Sequence, residues 1–118
     1  MKKYQLHYVF EKGKYKINDC IDLYFTTKKY SYTELESSLK HLLLEFHKNL
    51  FKKFNKTFKV PNQLLYVIDT YLSITMFKIY NSIFNKEEEF PDYILYNIDY
   101  NDNEYILKFN LFDKSYDI

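Results

Sequence analysis

His7, His41, His47 and the single cysteine, Cys20, are the residues from which nucleophilic or metal chemistry would have to be built. His41 and His47 stand six residues apart, off the i,i+4 spacing that brings two ligands together on one helix. One cysteine excludes an internal disulfide and every multi-cysteine metal site. A zinc site would need distant carboxylates or Cys20 to converge on these imidazoles, and no spacing indicates that. The histidines therefore read as solvated or helix-flank residues. Cys20 with a histidine could form a thiol–imidazole pair, but a lone cysteine in a strand is expected to be a small buried hydrophobe. The run Asp99-Tyr100-Asn101-Asp102-Asn103-Glu104 carries oxygen ligands like part of a calcium loop. It lacks the central glycine and the twelve-residue frame such a loop requires, so it reads as a hairpin turn. No catalytic residue, metal site or cofactor is expected, and the chain is expected not to be an enzyme.

Composition narrows the chemistry further. The 118 residues include one Gly, and all 17 basic residues are lysine; Ala, Arg and Trp are absent. One glycine closes off the loops that cradle phosphates. The missing guanidinium closes off arginine fingers and bidentate clamps. With 47% hydrophobic residues and a net charge of +1, disorder is not expected. Abundant Lys, Asn, Ile, Tyr and Phe beside the missing Ala and Arg fit an AT-rich genome. No apolar run approaches the roughly 20 residues a membrane span needs, and no signal-peptide pattern follows Met1-Lys2-Lys3. A cytoplasmic protein with no membrane association is expected.

The near-neutral total hides a division along the chain. Residues 1–36 carry a net of +2, residues 37–86 a net of +6, and residues 87–118 a net of −7. Lys48, Lys52, Lys53, Lys56 and Lys59 lie among Phe51, Phe54 and Phe58. Cations interleaved with aromatics suit tracking of a nucleic-acid backbone with stacked bases, although lysine alone reads bases poorly. Lysines also suit a helix C-terminus on dipole grounds alone. In the acidic third, Glu87, Glu88, Glu89, Asp92, Asp99, Asp102 and Glu104 would mimic phosphates or meet a basic groove. Otherwise they solubilise an exposed hairpin or neutralise the basic helices of a second copy.

The elements that position these charges follow from periodicity. Tyr4, Leu6, Tyr8 and Phe10 alternate with more polar neighbours, Lys12-Gly13 turns the chain, and Tyr15, Ile17, Ile21, Leu23 and Phe25 resume the alternation. Residues 3–26 thus form a hairpin, with Asp19 and Cys20 marking an irregularity in its second strand. Ser31 and Glu34 form a capping box. Leu35, Leu39, Leu42, Leu43, Phe46, Leu50 and Phe54 then fill an arc of roughly 120° on a helical wheel. Pro61 falls in the first turn of a second helix running to about Asn85, striped by Leu65, Ile68, Leu72, Met76, Ile79 and Ile83. Glu87-Glu88-Glu89 and Pro91 end it. Tyr93–Tyr100 and Tyr105–Phe112 flank a turn at 101–104. The expected fold is one α+β domain over 1–118, ordered ββααββ, with a four-stranded antiparallel sheet and two helices on one face.

The helices carry more apolar surface than one sheet needs. Leu44 and Phe51 lie about 180° and 160° from Leu35, on the otherwise polar side. Tyr66, Phe77, Tyr80 and Phe84 cluster within about 60° beside the core stripe. They either fill the gap between the helices or form an interface, where Tyr and Phe are enriched.

The sequence thus favours a small protein-interaction protein acting through its acidic hairpin or aromatic helix face. Its partner would be a protein, such as a nuclease or ribonucleoprotein, or a second copy in a homodimer. A phage- or plasmid-type inhibitor of a host defence nuclease, anti-CRISPR-like in role, fits this pattern. A lysine-rich nucleic-acid binder and a toxin-neutralising immunity protein are the alternatives.

Overall fold

A computed structural model describes residues 2–26, 31–54, 60–85 and 89–115. Its elements are β1 (Lys2–Lys12), β2 (Tyr15–Phe25), α1 (Tyr32–Lys53), α2 (Asn62–Phe84), β3 (Ile94–Tyr100) and β4 (Asn103–Asp113), the expected ββααββ order. All four strands join one antiparallel sheet in the order β2-β1-β4-β3, so the first and last strands pair at its centre. Both helices cover one face. The inward residues Leu6, Tyr8 and Phe10 of β1, Ile17, Leu23 and Phe25 of β2, and Leu107 and Phe109 of β4 are buried against Leu42, Phe46, Leu50, Ile68, Leu72, Met76 and Ile79. The opposite face of the sheet is left open.

Local chemistry sets the turns. Gly13, at φ 56°, links Lys12 to its partner Tyr15 in a two-residue loop, the place where positive φ matches the twist of a hairpin. The second hairpin is tighter than the sequence suggests. Asn101 and Asp102 alone make the loop, at φ 48° and 60°, and Tyr100 pairs with Asn103. Both central residues of such a turn need positive φ, and Asn and Asp tolerate it better than other side chains. Asn103 and Glu104 therefore belong to β4. The expected irregularity at Asp19 and Cys20 is absent. β2 pairs with β1 without interruption, and the Asp19 carboxylate accepts a hydrogen bond from the Cys20 N–H (2.8 Å).

The helix starts depart from expectation in an informative way. Ser31 caps α1, its Oγ accepting from the Glu34 N–H at 3.4 Å, but the reciprocal half of the capping box is not made. The Ser31 N–H donates to Tyr80 Oη (2.9 Å) from the other helix, while the Glu34 carboxylate accepts from the Thr26 N–H and hydroxyl. Pro61 sits before α2 rather than in its first turn. At ψ 144° it is extended, and its carbonyl accepts from Leu64 N–H (3.1 Å). Leu64, outside the stripe read from the sequence, is completely buried, and Leu65 is half-buried.

Three tyrosines are buried with their hydroxyls in the helix–sheet core or at its rim. Burial pushes Tyr8 up to about 12, and it raises Tyr80 and Tyr105 as well. Tyr8 Oη accepts from Asn49 Nδ2 at 2.5 Å, a bond that opposes the shift without cancelling it. A phenol whose folded pKa exceeds its unfolded value of 10.0 contributes stability that is intact below pH 10. That contribution disappears as pH rises from 10 to about 12. Tyr8 alone therefore removes on the order of 2–3 kcal/mol over that window. Urea midpoints at pH 8 and pH 11 should separate more for the native chain than for Tyr8→Phe, and equal separations would show that Tyr8 is not responsible.

Candidate interaction surfaces

The sequence-derived site residues do not form one patch. Of the acidic set, Glu89, Asp92, Asp99, Asp102 and Glu104 are exposed, while Glu87 and Glu88 lie outside the described residues. Asp99 and Glu104 are direct cross-strand partners at the end of the β3–β4 hairpin, both on the open face of the sheet. Side chains so placed lie side by side, and like charges directly opposite destabilise a sheet. No carboxylate of Asp99, Glu104, Asp92 or Asp102 has an ion-pair or hydrogen-bond partner among the described residues; Asp92 accepts from Asn110 Nδ2 only through its backbone carbonyl. Between this turn and the Gly13 turn lies an open cleft of about 600 Å³, lined by Glu11, Lys12, Tyr15, Asp102 and Glu104.

The aromatic set divides. Tyr66 is 74% exposed and Phe77 45%, whereas Tyr80 is fully buried and Phe84 is half-buried. Tyr80 and Phe84 rings lie 5.6 and 5.7 Å from Phe25, and Tyr80 Oη donates to the Ser31 carbonyl (3.1 Å). Tyr80 therefore belongs to the helix–sheet core, and the partly buried Phe84 packs against it. A 60° arc on one helix spans the boundary between core and solvent, which wheel geometry alone cannot locate. Leu44 and Phe51 point away from the sheet on α1, at 67% and 42% exposure.

Between them on α1, His47 reaches across to α2. Its Nε2 lies 2.7 Å from Asp69 Oδ1, both side chains being mostly buried, and the Phe51 ring packs edge-on to the imidazole. This charge-assisted pair ties the two helices together, so that of the two readings of the sequence, solvated or helix-flank, His47 takes the second. Asp69→Asn should cost about 1 kcal/mol of unfolding free energy, and His47→Ala a similar amount. A double-mutant cycle in urea unfolding measures the coupling, and a coupling near zero would show the contact to be idle.

Lys48, Lys52 and Lys53 are exposed in the second half of α1, with Phe51 among them; Lys56, Phe58 and Lys59 lie outside the described residues. Phe54 is 2% exposed and packs against Phe10, so it is unavailable for stacking.

Cys20 departs from its expected burial: it is exposed on the open face, directly opposite His7. Gln5 links this pair to Asp22. Its amide nitrogen donates to Asp22 Oδ1 (3.3 Å), and its carbonyl oxygen lies 2.7 Å from His7 Nε2, so that nitrogen is the donor. Desolvation raises the Cys20 thiol, with Asp19 and Asp22 adding to it. A raised thiol carries little thiolate at neutral pH, the opposite of an activated nucleophile. No group of three or more His, Cys, Asp or Glu side chains suited to a metal occurs among the described residues.

The open sheet face itself was not singled out by sequence. Tyr24, Tyr93, Leu95 and Phe112 are exposed on or beside it. Lys3 Nζ lies over Tyr24, and Lys108 Nζ lies 4.7 Å from the Tyr93 ring centre. The signal was available: these apolar residues occupy the polar phase of otherwise alternating strands. Among the described residues no helix is long and apolar enough to cross a membrane. No protein-family model matches the chain, and no curated protein or solved structure is detectably similar to it.

Proposed function

We propose that the chain is a non-catalytic protein-interaction protein that docks its acidic β3–β4 hairpin on a basic surface of a partner. The observation that carries this reading is the Asp99–Glu104 pair, two acidic side chains set side by side on an exposed sheet face with no ion-pair partner among the described residues, although Lys12 and Lys14 line the cleft beside Glu104. Such a pair costs folding stability, and that cost is recovered when a lysine- or arginine-lined surface covers it. The partner surface it fits best is a groove built to neutralise phosphates. An acidic hairpin seated there competes with nucleic acid, so the expected consequence is inhibition of a nuclease or ribonucleoprotein. A toxin with a basic active-site groove would be neutralised in the same way. The test is co-purification of a partner from the protein's own host with the native chain and with Asp99→Lys/Glu104→Lys, at low and high salt. Capture should be lost in the variant and weakened by salt; capture indifferent to both would overturn the reading.

One observation favours a second reading. Lys48 and Lys52 stand one turn apart on α1, with the half-exposed Phe51 beside them. That arrangement suits a single strand of nucleic acid, bound without base selectivity. Retention on immobilised single-stranded DNA at about 50 mM salt that falls steeply with added salt, and disappears in Lys48→Glu/Lys52→Glu, is the result it requires.

A further inference from the structure

We propose that the free edge of β2 beside α1 takes up an extended, lysine-bearing segment of a partner protein as a fifth strand of the sheet. This surface is separate from the acidic hairpin and stands or falls independently of it.

β2 is an outer strand of the sheet, 11 residues long and paired on one side only. In an antiparallel pair, successive residues point their N–H and C=O alternately toward and away from the partner strand. Two β2-side amides show which set faces outward. The Cys20 N–H is bound by the Asp19 carboxylate and the Thr26 N–H by the Glu34 carboxylate, so the even-numbered positions face away from β1. Those two carboxylates cover the edge on either side of a window. Within it, the backbone groups of Asp22 and Tyr24 that face away from β1 have no hydrogen-bond partner among the described residues. Exposed edge amides are the template for strand addition, and proteins ordinarily block them. Here only the Cys20 and Thr26 amides are blocked among the described residues; Asp22 and Tyr24 between them, like Lys16 and Asn18 nearer the turn, are not.

The window opens onto a groove. Two adjoining hollows of about 390 and about 250 Å³ run between β2 and α1, sharing Tyr24, Ser37 and Ser38. Asp22 and His41 line one of them, and Thr26 and Glu34 the other. The hollow at Thr26 and Glu34 is walled by hydroxyls and an acid, whereas the one at Asp22 and His41 is the more apolar, with Leu23 and Tyr24 in its wall. Glu34 supplies the charge selection. One of its carboxylate oxygens holds Thr26, while the other, Oε2, is buried with no hydrogen-bond partner among the described residues. A buried carboxylate oxygen without a donor is costly, and an ammonium group is the donor that satisfies it best. Asp22 adds a second acid at the other end of the window. A strand laid along Asp22 and Tyr24 with a lysine directed toward Thr26 would meet both requirements together.

The probe is a set of six-residue acetylated and amidated Thr/Val peptides with one lysine placed at each position in turn, beside the same set carrying norleucine. Titrated into the full isotopically labelled chain, at least one lysine register should bind about tenfold more tightly than its norleucine counterpart. The Asp22 and Tyr24 amides should shift and exchange more slowly with solvent. Glu34→Gln should abolish the lysine preference. Tyr24→Pro, which deletes one outward N–H at an edge position where proline is tolerated, should weaken every peptide about tenfold, with thermal unfolding confirming that both variants fold. Asp99→Lys/Glu104→Lys should bind the peptides unchanged, which separates this edge from the hairpin. Absence of binding, binding that leaves the Asp22 and Tyr24 amides unaltered, or equal affinity for lysine and norleucine would each overturn the proposal.

Discussion

Phe10→Ala should lower the unfolding free energy by about 3–5 kcal/mol, the largest effect expected of any single truncation in this chain. Phe10 is completely buried on a central strand, flanked by Ile17 and Leu107 in the sheet. Its ring meets Phe46 at 6.0 Å and Phe54 at 5.6 Å edge-on, and stacks with Tyr105 at 5.7 Å. It therefore links β1 and β4 to two positions of α1, and removing it leaves a cavity that three aromatic rings cannot readily close. Pairs of this geometry contribute about 0.5–1.5 kcal/mol beyond the area they bury. A domain of this size is stable by roughly 5–15 kcal/mol, so the loss is a large fraction of the total and the variant should unfold at a markedly lower urea concentration. Urea unfolding followed by circular dichroism is the measurement, since the chain has no Trp to report by fluorescence. Phe10→Leu, which keeps most of the volume, should cost less than about 1.5 kcal/mol. A loss below about 1 kcal/mol for the alanine variant would show that the aromatic cluster does not hold the helices to the sheet.

Asp99→Lys/Glu104→Lys should reduce affinity for the hairpin's partner at least about 100-fold at low salt, without loss of fold. Reversing two charges at the centre of the acidic surface replaces attraction to a basic groove by repulsion, and repulsive juxtapositions cost several kcal/mol. In the single variant Asp99→Lys stability should move the other way, whereas the double variant only exchanges one like-charge pair for another. Asp99→Lys alone turns a like-charge cross-strand pair into an opposite-charge one, a gain of up to about 1 kcal/mol. An Asp99→Lys chain that gains stability while binding its partner more weakly is the signature of a residue kept for binding and not for folding. An affinity within about threefold of the native chain would place the contact elsewhere, with the exposed Tyr66 and Phe77 on α2 the next surface to substitute.

Much of the architecture could be read from residue order alone because each element carries its own local signal. Strand alternation from Tyr4 to Phe10, the single glycine between the first two strands, and the apolar arc from Leu35 to Phe54 depend only on near neighbours. The element order then leaves few ways to close a sheet, and the observed one follows. Boundaries were less legible where two local signals compete. Ser31 and Glu34 have the spacing of a capping box, yet Glu34 bonds Thr26 and Ser31 bonds Tyr80, 49 positions away. No local rule contains those partners.

The candidate surfaces show the same limit. That the chain divides into a basic middle and an acidic last third is a property of the sequence, fixed by composition. So is the absence of phosphate-cradling loops and arginine chemistry. Which charges meet was decided by pairing: the two-residue Asn101–Asp102 turn sets the register that places Asp99 against Glu104. The tertiary structure likewise decided that Tyr80 is core while Tyr66 is not, because a helix wheel gives directions but not the depth at which a second layer ends. It brought His47 to Asp69, set Cys20 opposite His7 on the open face, and left Asp22 and Tyr24 uncovered on the edge of β2. Each of these depends on residues distant in sequence becoming neighbours, and only the folded backbone brings them together.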